Sequence, residues 1–211
     1  MKHLATTLAV ALLLTACAPL PTGDSSSAPD PFTAHGNEPF WWVELQDGRM
    51  RLRQAGEPEG TVDPSRLRVE QGLCHDSMSG MPYPYRAWLT LDGREWPGCG
   101  GDPRELLEGV VWELDGTALE SPPTLAFLPD NRVAGRGGCN RYSGTYRLTG
   151  EGLRLGPLAA TKMLCRPAQM TVEQGFFEAL EAVHRFDLNE GGSLELHGAG
   201  QKSLSFHPRS P

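Results

Sequence analysis

The chain has 211 residues and a formal net charge of −7, from 26 acidic and 19 basic side chains. That balance argues against nonspecific nucleic-acid binding and against a polybasic membrane patch. Gly and Pro number 25 and 18, below the range of disordered chains, and they point to many short strands joined by frequent turns. Isoleucine is absent, and arginine outnumbers lysine 16 to 3. The arginines are scattered along the chain, whereas a basic groove would cluster them.

Met1-Lys2-His3 is a short positive start, followed by an apolar run from Leu4 to Leu14. Such a run is too short to span a membrane and fits the core of a signal peptide. It ends in Leu14-Thr15-Ala16-Cys17, which resembles the lipobox of bacterial lipoproteins. The resemblance implies that residues 1–16 are removed and that Cys17 is lipidated. Ala18 in place of Asp implies sorting to the outer membrane, facing the periplasm. The mature chain would carry 18 basic and 26 acidic side chains, a charge of −8. Attachment to the membrane would then come from acyl chains at Cys17, and stable anchoring takes more than one. Residues 17–31, rich in Pro, Ser and Thr, read as a flexible tether.

Four further cysteines remain, at 74, 99, 139 and 165. An even number in an exported chain implies disulfides. Three pairings are possible; 74–99 and 139–165 keep each bridge within one candidate domain. Each would close a loop of roughly 26 residues, worth about 3.5 kcal/mol in the chain-entropy account.

A first domain is expected over residues 32–102. Phe40-Trp41-Trp42-Val43-Glu44-Leu45 enters a strand, and Asp47-Gly48 is a two-residue hairpin signal. That turn puts Leu45 opposite Met50, Glu44 opposite Arg51 and Val43 opposite Leu52, so the apolar pairs share one face. Asp92-Gly93 repeats the signal and places Leu89 opposite Trp96. Between the hairpins, the stretch from Cys74 to Tyr85 has no period and reads as a long loop. Gly36-Asn37-Glu38-Pro39-Phe40-Trp41, Cys74 through Tyr85, and Gly98-Cys99-Gly100-Gly101 together resemble an uncharacterised family of bacterial envelope domains. That resemblance brings no established activity.

A second domain is expected over residues 105–208. It opens with Val110-Val111-Trp112-Glu113-Leu114 and continues through short strands around Leu125, Val133, Tyr146 and Leu153. Its centre is Gly135-Arg136-Gly137-Gly138-Cys139-Asn140-Arg141-Tyr142-Ser143-Gly144, where glycines permit backbone angles that side chains forbid. One convincing helix covers about 170–184, with Thr171 and Gln174 as a capping box and Val172, Phe176, Ala179, Leu180 and Val183 on one apolar face. His184 would sit at its C-terminus, where positive charge is favoured. Three strands close the chain.

This half resembles the META domain, the HslJ heat-shock lipoprotein family. The residues that carry it are Trp112, Leu114, Leu125, Phe127, Gly135, Gly138 to Gly144, Thr161-Lys162-Met163, Cys165, Glu173, Phe177, Leu180, Leu204 and Phe206. The resemblance implies a small α+β fold, a sheet wrapped around one helix, linked to envelope stress and antibiotic tolerance without a known catalytic site. The fold class expected for the whole chain is all-β to α+β: two small antiparallel β domains, the second with one packed helix.

Candidate chemistry is sparse. His75, Met78, Met81, Tyr83 and Tyr85 form a candidate binding loop, stiffened by Pro82 and Pro84 and rich in residue types favoured at interfaces. Cys74, His75 and Asp76 with Met78 and Met81 would suit Cu(I) if Cys74 were free; with Cys74 in a disulfide, no metal is expected. Asn140, Arg141 and Lys162 are candidate contacts for an anion or glycan. Glu38 beside Trp41 and Trp42 could grip a sugar, although packing is the simpler role for Trp41. No H-E-x-x-H, G-x-S-x-G or phosphate loop is present, and the histidines are dispersed. The expectation is a non-enzymatic, cofactor-free, lipid-anchored envelope protein that binds another envelope protein or glycan. An inhibitor of a cell-wall hydrolase such as lysozyme and a copper-handling lipoprotein are the alternatives.

Overall fold

Two Asp-Gly pairs set the first sheet. Asp47 and Gly48 have φ of 51° and 70°, and Asp92 and Gly93 have 48° and 75°. Two consecutive positive φ values define the type I′ hairpin turn, whose twist matches that of the strands it joins. The pairing follows from the turns, with Leu45 opposite Met50, Val43 opposite Leu52, and Leu89 opposite Trp96. This computed structural model describes residues 27–189, 191–201 and 203–209. The signal peptide, Cys17 and the tether up to residue 26 lie outside the described residues.

Seven strands make the first sheet: β1 (Phe32–Asn37), β2 (Phe40–Gln46), β3 (Arg49–Gln54), β4 (Gly60–Val62), β5 (Leu67–His75), β6 (Pro82–Leu91) and β7 (Arg94–Gly100). Their order is β4-β3-β2-β1-β7-β6-β5. Alternation sends Trp41, Val43, Leu45, Met50, Leu52, Val69 and Leu89 into one buried cluster. Half of the long loop expected from Cys74 to Tyr85 is sheet. β5 and β6 still pair at Cys74 with Tyr83 and at His75 with Pro82, leaving only 76–81 as loop. Pro82 and Pro84 are tolerated because β7 pairs with β6 only from Tyr85 onward, so this end of β6 has one free edge.

The second sheet comprises β8 (Val111–Leu114), β9 (Thr124–Leu128), β10 (Arg132–Arg136), β11 (Arg141–Thr149), β12 (Gly152–Leu155), β13 (Ala159–Ala160), β14 (Val183–Leu188), β15 (Leu194–Gly198) and β16 (Ser203–Pro208). Its order is β12-β11-β10-β9-β8-β16-β15-β14, with the short β13 also pairing with β11. β12 and β14 come together at Gly152 and His184, which nearly closes a barrel. The helix α1 (Pro167–Glu181) packs Phe176 and Leu180 into the second core with Trp112, Leu125, Phe127, Phe186 and Phe206.

The helix starts and stops three residues earlier than the sequence pattern indicates. Pro167 sits within its first turn, where the missing N–H costs nothing, and the Gln169 side chain accepts from the Arg166 backbone N–H at 3.2 Å. Thr171 lies inside the helix and donates back to the Pro167 carbonyl. Val183 and His184 belong to β14, because Val183 and Phe186 point into the core across a bulge that resets the strand alternation.

Two further expectations change. Of the glycines at 135, 137 and 138, only Gly138 has a left-handed φ, at 120°. Gly137 is required for close approach: a Cβ there would lie 2.7 Å from Phe177 Cζ and 2.9 Å from Glu173 Oε2. Five of the arginines that are scattered in sequence come together in space. Alternation and register place Arg132, Arg136, Arg141, Arg147 and Arg154 on the outer face of β10–β12.

Candidate functional site

Asp76 organises the short loop that joins β5 to β6. Its carboxylate is 8 % exposed. Oδ1 accepts from the backbone N–H groups of Met78 at 3.1 Å and Ser79 at 2.7 Å, and from the Ser79 hydroxyl at 2.7 Å. Oδ2 accepts from Asn37 Nδ2 at 2.6 Å and lies 3.1 Å from His35 Nε2. Two backbone bonds, from Asp76 N–H to the Met81 carbonyl and from Gly80 N–H to the Asp76 carbonyl, close the loop on itself. Burial pushes the Asp76 carboxyl up, but the hydrogen bonds from Ser79 and Asn37 and the charge of His35 outweigh it and hold the pKa at about 2.

That depression has a pH signature. A carboxyl with a lowered folded pKa stabilises the fold fully above its unfolded value, about 3.9, and loses that contribution as pH falls toward about 2. Fully present, the contribution is roughly 2–3 kcal/mol. Between pH 5 and pH 2 the unfolding free energy of the parent should therefore fall by about 2 kcal/mol more than that of Asp76→Asn. Parallel pH profiles in urea titrations would count against this role for Asp76.

A cleft of about 340 Å³ opens beside this loop, lined by His35, Asn37, Glu38, Asp76, Ser77 and the Cys74–Cys99 bridge. Gly36 and Gly98 form its floor, and beneath them lies Trp41, fully buried. A Cβ on Gly98 would come within 2.6 Å of Trp41 Cζ2, so the floor must be glycine. The Trp41 indole N–H has no partner among the described residues. Both expected disulfides are formed, Cys74–Cys99 and Cys139–Cys165.

The residues of the expected binding loop separate into distinct roles. Met81 is fully buried and belongs to the core of the second sheet, not the first. Tyr83 packs partly against that same core and meets His35 edge-on at 4.9 Å. Tyr85 packs on the first core and meets Phe32 edge-on at 5.4 Å. His75 Nε2 lies 2.7 Å from Asp187 Oδ1 on β14. Met78 stands furthest into solvent, 80 % exposed, and His75 is exposed as well. The loop is thus a joint between the two sheets with one free tip. The soft-metal donor set does not converge, because Cys74 is bridged and Met81 lies within the second core.

Asn140 turns inward. Its Oδ1 accepts from Met163 N–H and the Thr161 hydroxyl, and its Nδ2 donates to Glu173 Oε1 at 2.7 Å and toward the Met163 carbonyl at 3.5 Å. Of the trio proposed for an anion, only Arg141 and Lys162 face solvent. One face of the Trp42 ring is covered by the Arg53 guanidinium at 4.1 Å, so that face is not open to a sugar.

Sequence reasoning missed Asp76 and Glu173 as organisers. Asp76 sits three residues before Ser79, the spacing of an Asx-type turn, which is a usable signal. Glu173 falls on the same helical stripe as Phe176 and Leu180, and an acid on an apolar stripe calls for buried donors. Those donors are the backbone N–H groups of Cys139 and Asn140, at 3.0 and 2.6 Å, with the Asn140 amide.

The second half is therefore a nearly closed antiparallel barrel whose helix reaches through Glu173 to pin a Gly-Gly-Cys-Asn turn. The META domain family matches residues 106–211, just over half of the chain, and the chain belongs to that family. Two solved structures are similar. One is the NMR structure of a protein from Burkholderia xenovorans, 28% identical over 51% of this chain and 86% of that one, with a TM-score of 0.43. The other, also an NMR structure, is 27% identical over 48% of this chain and 91% of that one, with a TM-score of 0.40. No curated protein matches the chain.

Proposed function

We propose that this protein is a non-enzymatic, lipid-anchored component of a bacterial outer membrane that supports stress and antibiotic tolerance by holding another envelope component, a protein or glycan, in the Asp76 cleft. The observation that carries the reading is the cleft itself. Its walls are fixed by a disulfide and by five polar contacts on one carboxylate, so little order is lost on binding. Glu38 is an exposed residue of its lining, and Met78, next to Ser77 of that lining in sequence, is 80 % exposed. META membership supplies the family context.

Two arms test the reading. In cells, Cys17→Ser should release the protein from membranes and abolish labelling by fatty acid; a variant that still sediments with the outer membrane and still takes up label would refute the anchor. In envelope extract, a crosslinked partner of the parent should be lost when Glu38 and Met78 are both replaced by Ala, with the melting temperature unchanged. An identical crosslinking pattern would move the binding role away from this cleft.

A further inference from the structure

The outer face of β10, β11 and β12 carries five of the 16 arginines of the chain. Arg136 is directly opposite Arg141, and Arg147 is directly opposite Arg154. Like charges facing each other across strands oppose folding unless a counter-charge is present. None of the five has a carboxylate partner among the described residues. The arginines that are ion-paired, namely 51, 53, 68, 104, 185 and 209, lie elsewhere. The other outward residues of β10 and β11 are Ala134, Ser143, Thr145 and Thr149, so the strip contains no acid. The nearby acids, Asp130 and Glu151, sit in the turns at one end. Arg141 and Arg147 are six positions apart on β11, roughly 20 Å along a strand. A charge spread of that length suits a surface better than a single small anion.

The opposite end of the strip has a different character. The chain after β13 bonds to Arg141 through Thr161 and then presents Lys162, Met163 and Leu164. Met163 is 53 % exposed and Leu164 is 96 % exposed. This segment is nevertheless held firmly. Asn140 bonds both the N–H and the carbonyl of Met163, and Cys165 is bridged to Cys139. A leucine held out in water by a fixed backbone, with Lys162 and Arg166 on either side, has no packing role within the chain. Basic side chains around an exposed apolar tip match the chemistry of an anionic lipid surface, where phosphates meet the acyl boundary. A soluble polyanion would use the arginines but leave Leu164 without purpose.

We infer that the outer face of β10–β12, with the Met163-Leu164 tip, docks on an anionic phospholipid surface. The inference deepens the envelope placement proposed above: the lipid at Cys17 would supply attachment, and this face would fix which side of the molecule lies on the membrane. The chain is acidic overall, so a strip of arginines without acids among them sets this face apart and favours one docked orientation.

The test uses a chain beginning at Ala18, free of signal peptide and of Cys17. Every core residue of both clusters lies between Phe32 and Phe206, so this chain keeps the whole fold. It should cosediment at low salt with vesicles of phosphatidylglycerol and phosphatidylcholine, and not with phosphatidylcholine alone. Raising the ionic strength should release it. Arg147→Gln with Arg154→Gln should weaken partition roughly 25-fold, since each basic group near an anionic surface contributes a factor of about five. Leu164→Ser should weaken it roughly tenfold through lost apolar burial. Equal binding to both vesicle types, or partition untouched by these variants, would overturn the inference. So would binding to soluble polyphosphate through the same arginines without vesicle binding. Because the chain lacks Cys17, this outcome is independent of lipidation: an unlipidated parent would sink the anchor alone, and vesicle failure the docking face alone.

Discussion

Glu173→Ala should unfold the second half of the protein or bring it close to unfolding. The Glu173 side chain is 5 % exposed and is the acceptor for three donors of the turn that begins β11. Two of these donors are backbone N–H groups of Cys139 and Asn140, and the disulfide and the inward-turned Asn140 give that turn no freedom to seek water. Removing the carboxylate strands all three, at about 1–3 kcal/mol for each unsatisfied group, so a loss of about 3–5 kcal/mol is expected. That is a large fraction of the 5–15 kcal/mol typical of a whole domain. Glu173→Gln separates charge from shape. One amide oxygen can still serve the two backbone donors, but the amide nitrogen then faces Asn140 Nδ2, donor to donor. Asn140 cannot flip to relieve this, because its Oδ1 already holds Met163 N–H and the Thr161 hydroxyl. Glu173→Gln should therefore cost about 1–3 kcal/mol, less than Ala. Urea titrations that place both variants within about 0.5 kcal/mol of the parent would show that the turn holds without its acceptor.

The parts of this molecule that local chemistry dictates were legible in the sequence. The two Asp-Gly hairpins came with their register because a two-residue turn and a period-two pattern leave one solution. The disulfides followed from keeping each bridge local. What was not legible depends on contacts between distant segments. Asp76 looks like one polar residue among several until His35 and Asn37, some 40 residues earlier, are brought beside it by the approach of β1 to β7. The five arginines looked dispersed because strand register, not sequence spacing, decides which side chains share a face. The helix start was misread because two residue patterns compete there. Pro167 and Gln169 define the real first turn, whereas Thr171 and Gln174 only copy the spacing of a cap.

Met81→Ala and Met78→Ala, three residues apart, should behave in opposite ways. Met81 comes from the loop of the first sheet yet is fully buried in the core of the second, alongside β14 residues such as Val183 and Phe186. Truncating a buried methionine costs about 2–5 kcal/mol, depending on how far the site can collapse. Collapse is restricted here, because Asp76 and the Cys74–Cys99 bridge fix the backbone on either side of the joint. A value in the upper part of that range is expected. The loss should also loosen the link between the two sheets, leaving it to the partly buried Tyr83 and to the His75–Asp187 pair, and an exposed pair contributes at most about 1 kcal/mol. Met78, 80 % exposed at the loop tip, should change stability by no more than about 0.5 kcal/mol on truncation. Denaturant titrations of the two variants decide the matter: equal midpoints would mean that Met81 is not a tie between the sheets. The contrast also governs how the cleft is probed in cells. A phenotype from Met81→Ala reports on the joint, whereas one from Met78→Ala, with stability unchanged, reports on what the cleft binds.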